Sequence, residues 1–293
     1  MNTIANTSAV REFQGFAVHT LSDDRVSLAV VPELGARIIS LKNVRTQREW
    51  LWHPGDRLEL FRNRPDDAFN EGPLAGVDEC LPTIGPCAWR GRDLPDHGEV
   101  WNRSWQLDLD ALREGILKTS IRLNISPFAF ERSIALHQGE VHLHYKLTNL
   151  SNAEEPFVWA IHPLLRLVPG DRLELPPSTR GLLNGATWVD DVISTIPAQN
   201  CAKAFARPIS DGWAEIKNEV TGDRLKIIWD PGQNNTLGLW TTHGGWHGHH
   251  HFAIEPTNAD HDSLATALGQ KSCGMVAPQS SRTWQIKMCV GSR

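Results

Sequence analysis

The sequence predicts an all-β protein, a large antiparallel β-sandwich, on three observations. Apolar and polar residues alternate with period two, turn formers interrupt these runs at short intervals, and helical periodicity is nearly absent.

Taken in chain order, Thr119-Ser120-Ile121-Arg122-Leu123-Asn124-Ile125 sets an apolar side chain at every second position, the pattern of a strand with one buried face. Val141-His142-Leu143-His144-Tyr145-Lys146-Leu147-Thr148 does the same, so His142 and His144 are expected to point away from the core. Ile161-His162-Pro163-Leu164-Leu165 reads as an apolar strand run. Pro169-Gly170-Asp171, Thr221-Gly222-Asp223 and Asp230-Pro231-Gly232 are turns, and Leu175-Pro176-Pro177-Ser178 is a loop, since strand patterning resumes after it. Leu237-Gly238-Leu239-Trp240 and Phe252-Ala253-Ile254 are further strands. Asp262-Ser263-Leu264-Ala265-Thr266-Ala267-Leu268-Gly269 is the one helical stretch, with Asp262 as cap and Gly269 as stop. Thr283-Trp284-Gln285-Ile286-Lys287-Met288-Cys289-Val290 closes the chain with a last alternating strand. No internal repeat or linker divides it, so residues 1–293 are expected to form a single domain.

Composition excludes several function classes. Hydrophobic content of 40% with 22% charged residues suits a soluble globular chain able to bury a sizeable core. The net charge is −5 and the basic residues are scattered, which leaves a nucleic-acid partner no electrostatic footprint. Met1-Asn2-Thr3-Ile4-Ala5-Asn6-Thr7-Ser8 lacks the basic start and apolar stretch of a secretory signal, and no run is long enough to span a bilayer; a cytoplasmic protein without a membrane partner is expected. Five cysteines, widely spaced and never as Cys-x-x-Cys, argue for reduced thiols and against a zinc site. The sequence is silent on oligomeric state.

Candidate chemistry begins with two groups that each precede a proline, His162 before Pro163 and Glu255 before Pro256. Proline biases the preceding residue toward extended geometry, so both side chains are expected at strand exits facing a cleft, an acid and a base suited to proton transfer. No Gly-rich phosphate loop or Gly-x-Ser-x-Gly elbow accompanies them, and no cofactor is expected. Asp78 and Glu79 are candidates to accept hydrogen bonds from a ligand. Arg37 is a candidate for an acidic group, whereas Arg103 reads as a surface ion-pair residue. Twelve tryptophans against one tyrosine suggest an aromatic wall, with Trp101, Trp159 or Trp240 as platform and Trp240 preferred, because its strand approaches the loop returning to Glu255. That loop, His243-Gly244-Gly245-Trp246-His247-Gly248-His249-His250-His251, invites a metal, but its glycines favour a flexible rim, and no native metal is expected.

A third element, Pro95-Asp96-His97-Gly98-Glu99-Val100-Trp101, completes an ordered set with His162-Pro163 and Glu255-Pro256. With the opening Pro32-Glu33-Leu34-Gly35-Ala36-Arg37-Ile38-Ile39-Ser40-Leu41, this set resembles the aldose 1-epimerase (galactose mutarotase-like) superfamily over nearly the whole chain. The resemblance implies the mutarotase supersandwich and a sugar substrate. It also implies metal-free interconversion of anomers, with Glu255 as base, His162 as acid and His97 hydrogen-bonding the sugar or polarising its ring oxygen. Gly76-Val77-Asp78-Glu79-Cys80-Leu81-Pro82-Thr83-Ile84-Gly85-Pro86 departs from the pattern of the galactose mutarotases proper and resembles a less characterised branch, so galactose is not singled out as substrate. Two other readings stay open: a non-catalytic carbohydrate-binding β-sandwich, and a metal-dependent sugar isomerase using His247, His249, His250 or His251.

Overall fold

The structure, a computed structural model, describes residues 7–65, 67–72, 74–183 and 200–292. Most of the N-terminal stretch read for a secretory signal, residues 1–6, lies outside them. No helix among the described residues is long and apolar enough to cross a membrane.

The described residues build a large antiparallel β-sandwich. One sheet has nine strands in the order Thr7–Phe13, Phe16–Ser22, Val26–Val31, Arg37–Asn43, Val77–Cys80, Ala160–Pro163, His250–Thr257, Thr236–His243 and Asn200–Ala206. The other has eight, in the order Asp171–Glu174, Trp213–Asn218, Arg224–Trp229, Ser281–Gly291, Glu140–Asn149, Phe128–His137, Leu117–Arg122 and Gln106–Leu107.

Alternation dictates these strands. In Glu140–Asn149 the odd residues Val141, Leu143, Tyr145 and Leu147 are buried while His142 and His144 face outward. Phe128–His137 pairs with this strand through a two-residue turn, Gln138-Gly139, with φ of 53° and 85° at the two positions. Positive φ at both centres gives the turn the twist of the flanking strands. The helix near the C-terminus covers Leu264–Gly269; its cap is Ser263, whose side chain accepts from Thr266 N, and Gly269 is its last residue rather than its stop. Asp262 does not cap, because its carboxylate is engaged elsewhere, by Lys203.

Aromatic rings join the two sheets. Trp159, on the nine-stranded side, lies 5.0 Å from Tyr145 and 4.9 Å from Trp284 of the eight-stranded sheet. Within that core sits a buried polar cluster: Glu79 accepts from Arg132 Nη1, Tyr145 Oη and Trp159 Nε1, each at 2.9 Å. Trp159 and Trp101 are fully buried, so neither is a platform for a ligand.

Candidate active site

Successive side chains of a strand point to opposite faces, and this decides which residues meet. Glu79 points into the inter-sheet core; Asp78, its neighbour, points to the other face. On that face the strand registers align a row of functional side chains. His162 pairs with Asp78 across adjacent strands, and Gly238 pairs with Glu255. Between the two central strands the pairs Ala160–Thr257 and Leu165–Phe252 bracket the register and set His162 opposite Glu255. The row therefore runs Asp78, His162, Glu255, Gly238, and it is covered by loops rather than by the second sheet.

His162 Nε2 lies 3.6 Å from Glu255 Oε1, with the two side chains 7% and 0% exposed. Glu255 is inside its strand, two residues before the end, rather than at a strand exit. Neither of its oxygens accepts a hydrogen bond from the described residues. Oε2 is instead ion-paired to Lys203 Nζ at 3.2 Å, and that ammonium also meets Asp262 Oδ1 at 2.8 Å.

These carboxyl and imidazole groups shape a cleft of about 350 Å³. Phe69, His97, Trp240 and Trp246 wall it, and Asn70, Asp96, His251 and Asp262 supply further polar groups. The Pro95–Gly98 turn delivers His97, held with φ of 57° at His97 and 76° at Gly98. A Cβ at Gly98 would lie 2.1 Å from Leu81 O, so the close approach of backbone to backbone requires glycine there. Asp96 Oδ1 accepts from His97 Nδ1 at 2.9 Å, which fixes the proton on Nδ1 and leaves Nε2 as the ring's free polar atom. Phe69 stacks on the same ring at 3.8 Å between centroids, and His162 lies 5.1 Å away.

Burial sets the electrostatics. It raises the Glu255 pKa above the usual carboxylate range, against the opposing pull of Lys203 and with added repulsion from Asp262. It pushes His162 well below the usual imidazole range, helped by His97 and Lys203. Burial alone would lower Lys203, yet Glu255 and then Asp262 outweigh it and raise the ammonium's pKa. His251 is held neutral, its pKa pushed down to about 3 by burial and then by His249 and His250.

Three residues expected to touch a ligand do not line the cleft. Glu79 belongs to the inter-sheet core by strand parity and is saturated by its three donors. Arg37 and Asp78 are buried, 3% and 1% exposed, and bind each other at 2.7 Å between Nε and Oδ1, so the arginine offers no free charge to an acidic ligand. Among the described residues Arg103 makes a hydrogen bond to Asn124 and not the expected ion pair. Trp240 does line the cleft, its Nε1 donating to His251 Nε2 at 3.1 Å.

The His-rich segment closes a hairpin and packs on an aromatic ring. His243 and His250 pair at the end of a hairpin, and Gly244 N and His249 N bond to His249 O and Trp246 O. His249 and His251 pack against Trp52 at 4.9 and 4.6 Å. Among the described residues no three His, Cys, Asp or Glu side chains converge as a metal site.

Lys203, Asp262, Asp96, Phe69 and Trp246 were not legible as site residues. Lys203 left one trace, a single cation within the otherwise apolar run Cys201–Ala206. A second depression, of about 440 Å³ on the other sheet, collects Lys118, Glu131 and Lys146, which are committed to one another: Lys146 and Lys118 reach Glu131 at 3.4 and 3.9 Å.

No protein-family model matches this chain, and no curated protein matches it. Solved structures do. A protein from Synechocystis sp. PCC 6803 superposes over the whole of both chains with a TM-score of 0.73 at 18% identity. A galactose mutarotase-like protein from Clostridium acetobutylicum gives 0.71 at 13% identity, covering 99% of each chain. A galactose mutarotase related enzyme from Lactobacillus acidophilus gives 0.67 at 15% identity, over 94% of this chain and 97% of its own. At these identities the likeness establishes the fold, a galactose mutarotase-like β-sandwich.

Proposed function

We propose that the protein is an aldose 1-epimerase-like enzyme that interconverts the anomers of a neutral free sugar by acid–base ring opening. The observation that carries this is the facing of His162 and Glu255 across adjacent strands, with 3.6 Å between Nε2 and Oε1, at the floor of an aromatic-walled cleft. Lys203 pairs with Glu255 Oε2, whereas Oε1, facing His162, is buried without a hydrogen bond from the described residues. A reacting hydroxyl satisfies it.

In this reading the ionised Glu255 takes the proton from the anomeric hydroxyl while His162 delivers one to the ring oxygen. The ring opens, the aldehyde rotates, and closure on the other face reverses both transfers. His97, its proton held on Nδ1 by Asp96, accepts from a sugar hydroxyl through Nε2. Trp240 and Trp246, 6.1 Å apart and at 87° to each other, offer apolar faces to the C–H groups of a pyranose.

Charge selects the class of sugar. Asp96, Glu255 and Asp262 line the cleft against one ammonium, Lys203, which two of those carboxylates already hold. A phosphate or carboxylate on the substrate meets repulsion there, so a neutral aldose fits best.

Exchange spectroscopy by proton NMR on a panel of aldoses, uronic acids and sugar phosphates tests this reading. Catalysed anomer exchange is expected for neutral aldoses, and Glu255→Gln and His162→Asn are each expected to slow it by roughly 10²–10⁴-fold with the fold retained. A folded variant that exchanges anomers at the wild-type rate removes that residue from the mechanism.

A further inference from the structure

We propose that Lys203 is a positioning residue for Glu255, forming with Asp262 a clamp that fixes one carboxylate oxygen and leaves the other to the reaction. The proposal rests on the reading of Glu255 as the base. It is carried by the different partners of the two oxygens: Oε2 meets Lys203 Nζ at 3.2 Å, whereas Oε1 faces His162 Nε2 at 3.6 Å.

The geometry is built by more than one strand. Lys203 sits on the edge strand Asn200–Ala206 and pairs with Trp240, whereas Glu255 lies one strand further in. To reach it, the lysine must pass over the intervening Thr236–His243 strand. Gly238, directly opposite Glu255 on that strand, leaves the passage open: a Cβ there would stand 3.3 Å from Glu255 Oε2 and 3.2 Å from the ring of Phe205. The Phe205 ring supports the ammonium at 5.3 Å, and Asp262 anchors its far side at 2.8 Å. Among the described residues lining the cleft, Lys203 is the one Lys or Arg.

A buried carboxylate without a hydrogen-bond donor is free to rotate and favours its neutral form. One ammonium at ion-pair distance opposes both tendencies, and the low-dielectric surroundings strengthen it. Asp262 holds the ammonium in place but adds a negative charge of its own. Lys203 and Asp262 act on Glu255 from one side, and His162 and His97 from the other elements of the cleft; Asp78, tied to Arg37, lies beyond His162 in the same row. Cys80 lies behind Glu255, and His251 shares its strand.

The test follows the Glu255 carboxyl directly. Carbon-13 NMR of labelled glutamate, with the Glu255 signal assigned by its loss in Glu255→Gln, is recorded across pH for the wild type, Lys203→Met, Lys203→Arg and Asp262→Asn, beside the pH profile of anomer exchange. Lys203→Met is expected to move both the Glu255 titration and the acid limb of the rate upward by about one pH unit or more, with Lys203→Arg moving them less. Asp262→Asn is expected to move them the opposite way, because it removes a nearby negative charge and leaves the ammonium to Glu255 alone. An unmoved Glu255 titration in Lys203→Met overturns the clamp whatever the activity. Should that variant fail to fold by circular dichroism, an unmoved or upward shift in Asp262→Asn overturns it instead. A shifted titration in a protein that exchanges no anomer upholds the clamp while removing the catalytic reading of Glu255.

Discussion

Burial acts in opposite directions on the two groups that face each other at the floor of the cleft. It lifts Glu255 and depresses His162, so the form with an ionised base and a protonated acid is a narrow one. The sign follows for each limb of the rate. Activity rises with pH as Glu255 loses its proton, above the ordinary glutamate value of about 4.3; it falls as His162 loses its own, below the ordinary histidine value of about 6.5. The expected kcat/KM profile for anomer exchange is therefore a bell on the acidic side of neutrality, narrower than unperturbed glutamate and histidine would give, with limbs that belong to the pair. Polarimetric rates corrected for buffer catalysis check it; a plateau sustained through about pH 8, well above the ordinary imidazole range, removes His162 as the acid.

At the scale of the element, a rigid sheet supplies the base and the acid while a strained turn supplies the third group. His97 is held with positive φ between Asp96, which fixes its tautomer, and Gly98, which touches Leu81 O. Gly98→Ala forces a Cβ against a backbone carbonyl, and the left-handed conformation alone costs roughly 1–2 kcal/mol for a non-glycine residue. The variant is expected to lose more than this in urea unfolding and to bind sugar weakly even where it folds, because His97 moves with the turn; wild-type stability and affinity would show that the turn adapts freely. This turn was legible as a dipeptide motif, and His162 and Glu255 as groups flanked by proline. Their mutual placement was not, because it depends on which strands become neighbours. Nor was the choice between Asp78 and Glu79: one residue of parity sends one carboxylate to the sheet's outer face and the other to the core. The His-rich segment reads as a loop when its glycines are counted alone; its hydrogen bonds are local to the hairpin, but its packing against Trp52 comes from a residue distant in sequence.

The whole molecule is held together across its two sheets by a polar tie inside an aromatic core. Period two was enough to read the sandwich, and it sets Arg132 on the buried face with Phe128, Phe130, Ile134 and Leu136, but it does not say which group of the other sheet the arginine meets. Arg132, fully buried, meets Glu79 from the opposite sheet, while Tyr145 and Trp159 complete the carboxylate's hydrogen bonds. Burial raises the Glu79 pKa even against Arg132, so the pair resists separation more than it adds net stability. Removing one member leaves the other charge in the core. Arg132→Leu and Glu79→Gln are each expected to lower the free energy of unfolding by about 3–5 kcal/mol, the loss found when a buried pair is broken from one side. The double variant carries no unpaired core charge, and the amide that Glu79→Gln introduces can accept from Trp159 Nε1 through its oxygen while its NH2 donates to Tyr145 Oη. Its loss is therefore expected to be well below the sum of the single losses, a coupling of more than about 1 kcal/mol in the double-mutant cycle. Urea unfolding of the four proteins measures this; strictly additive losses would mean that the sheets are joined by the aromatic stack of Tyr145, Trp159 and Trp284, with the ion pair incidental to it.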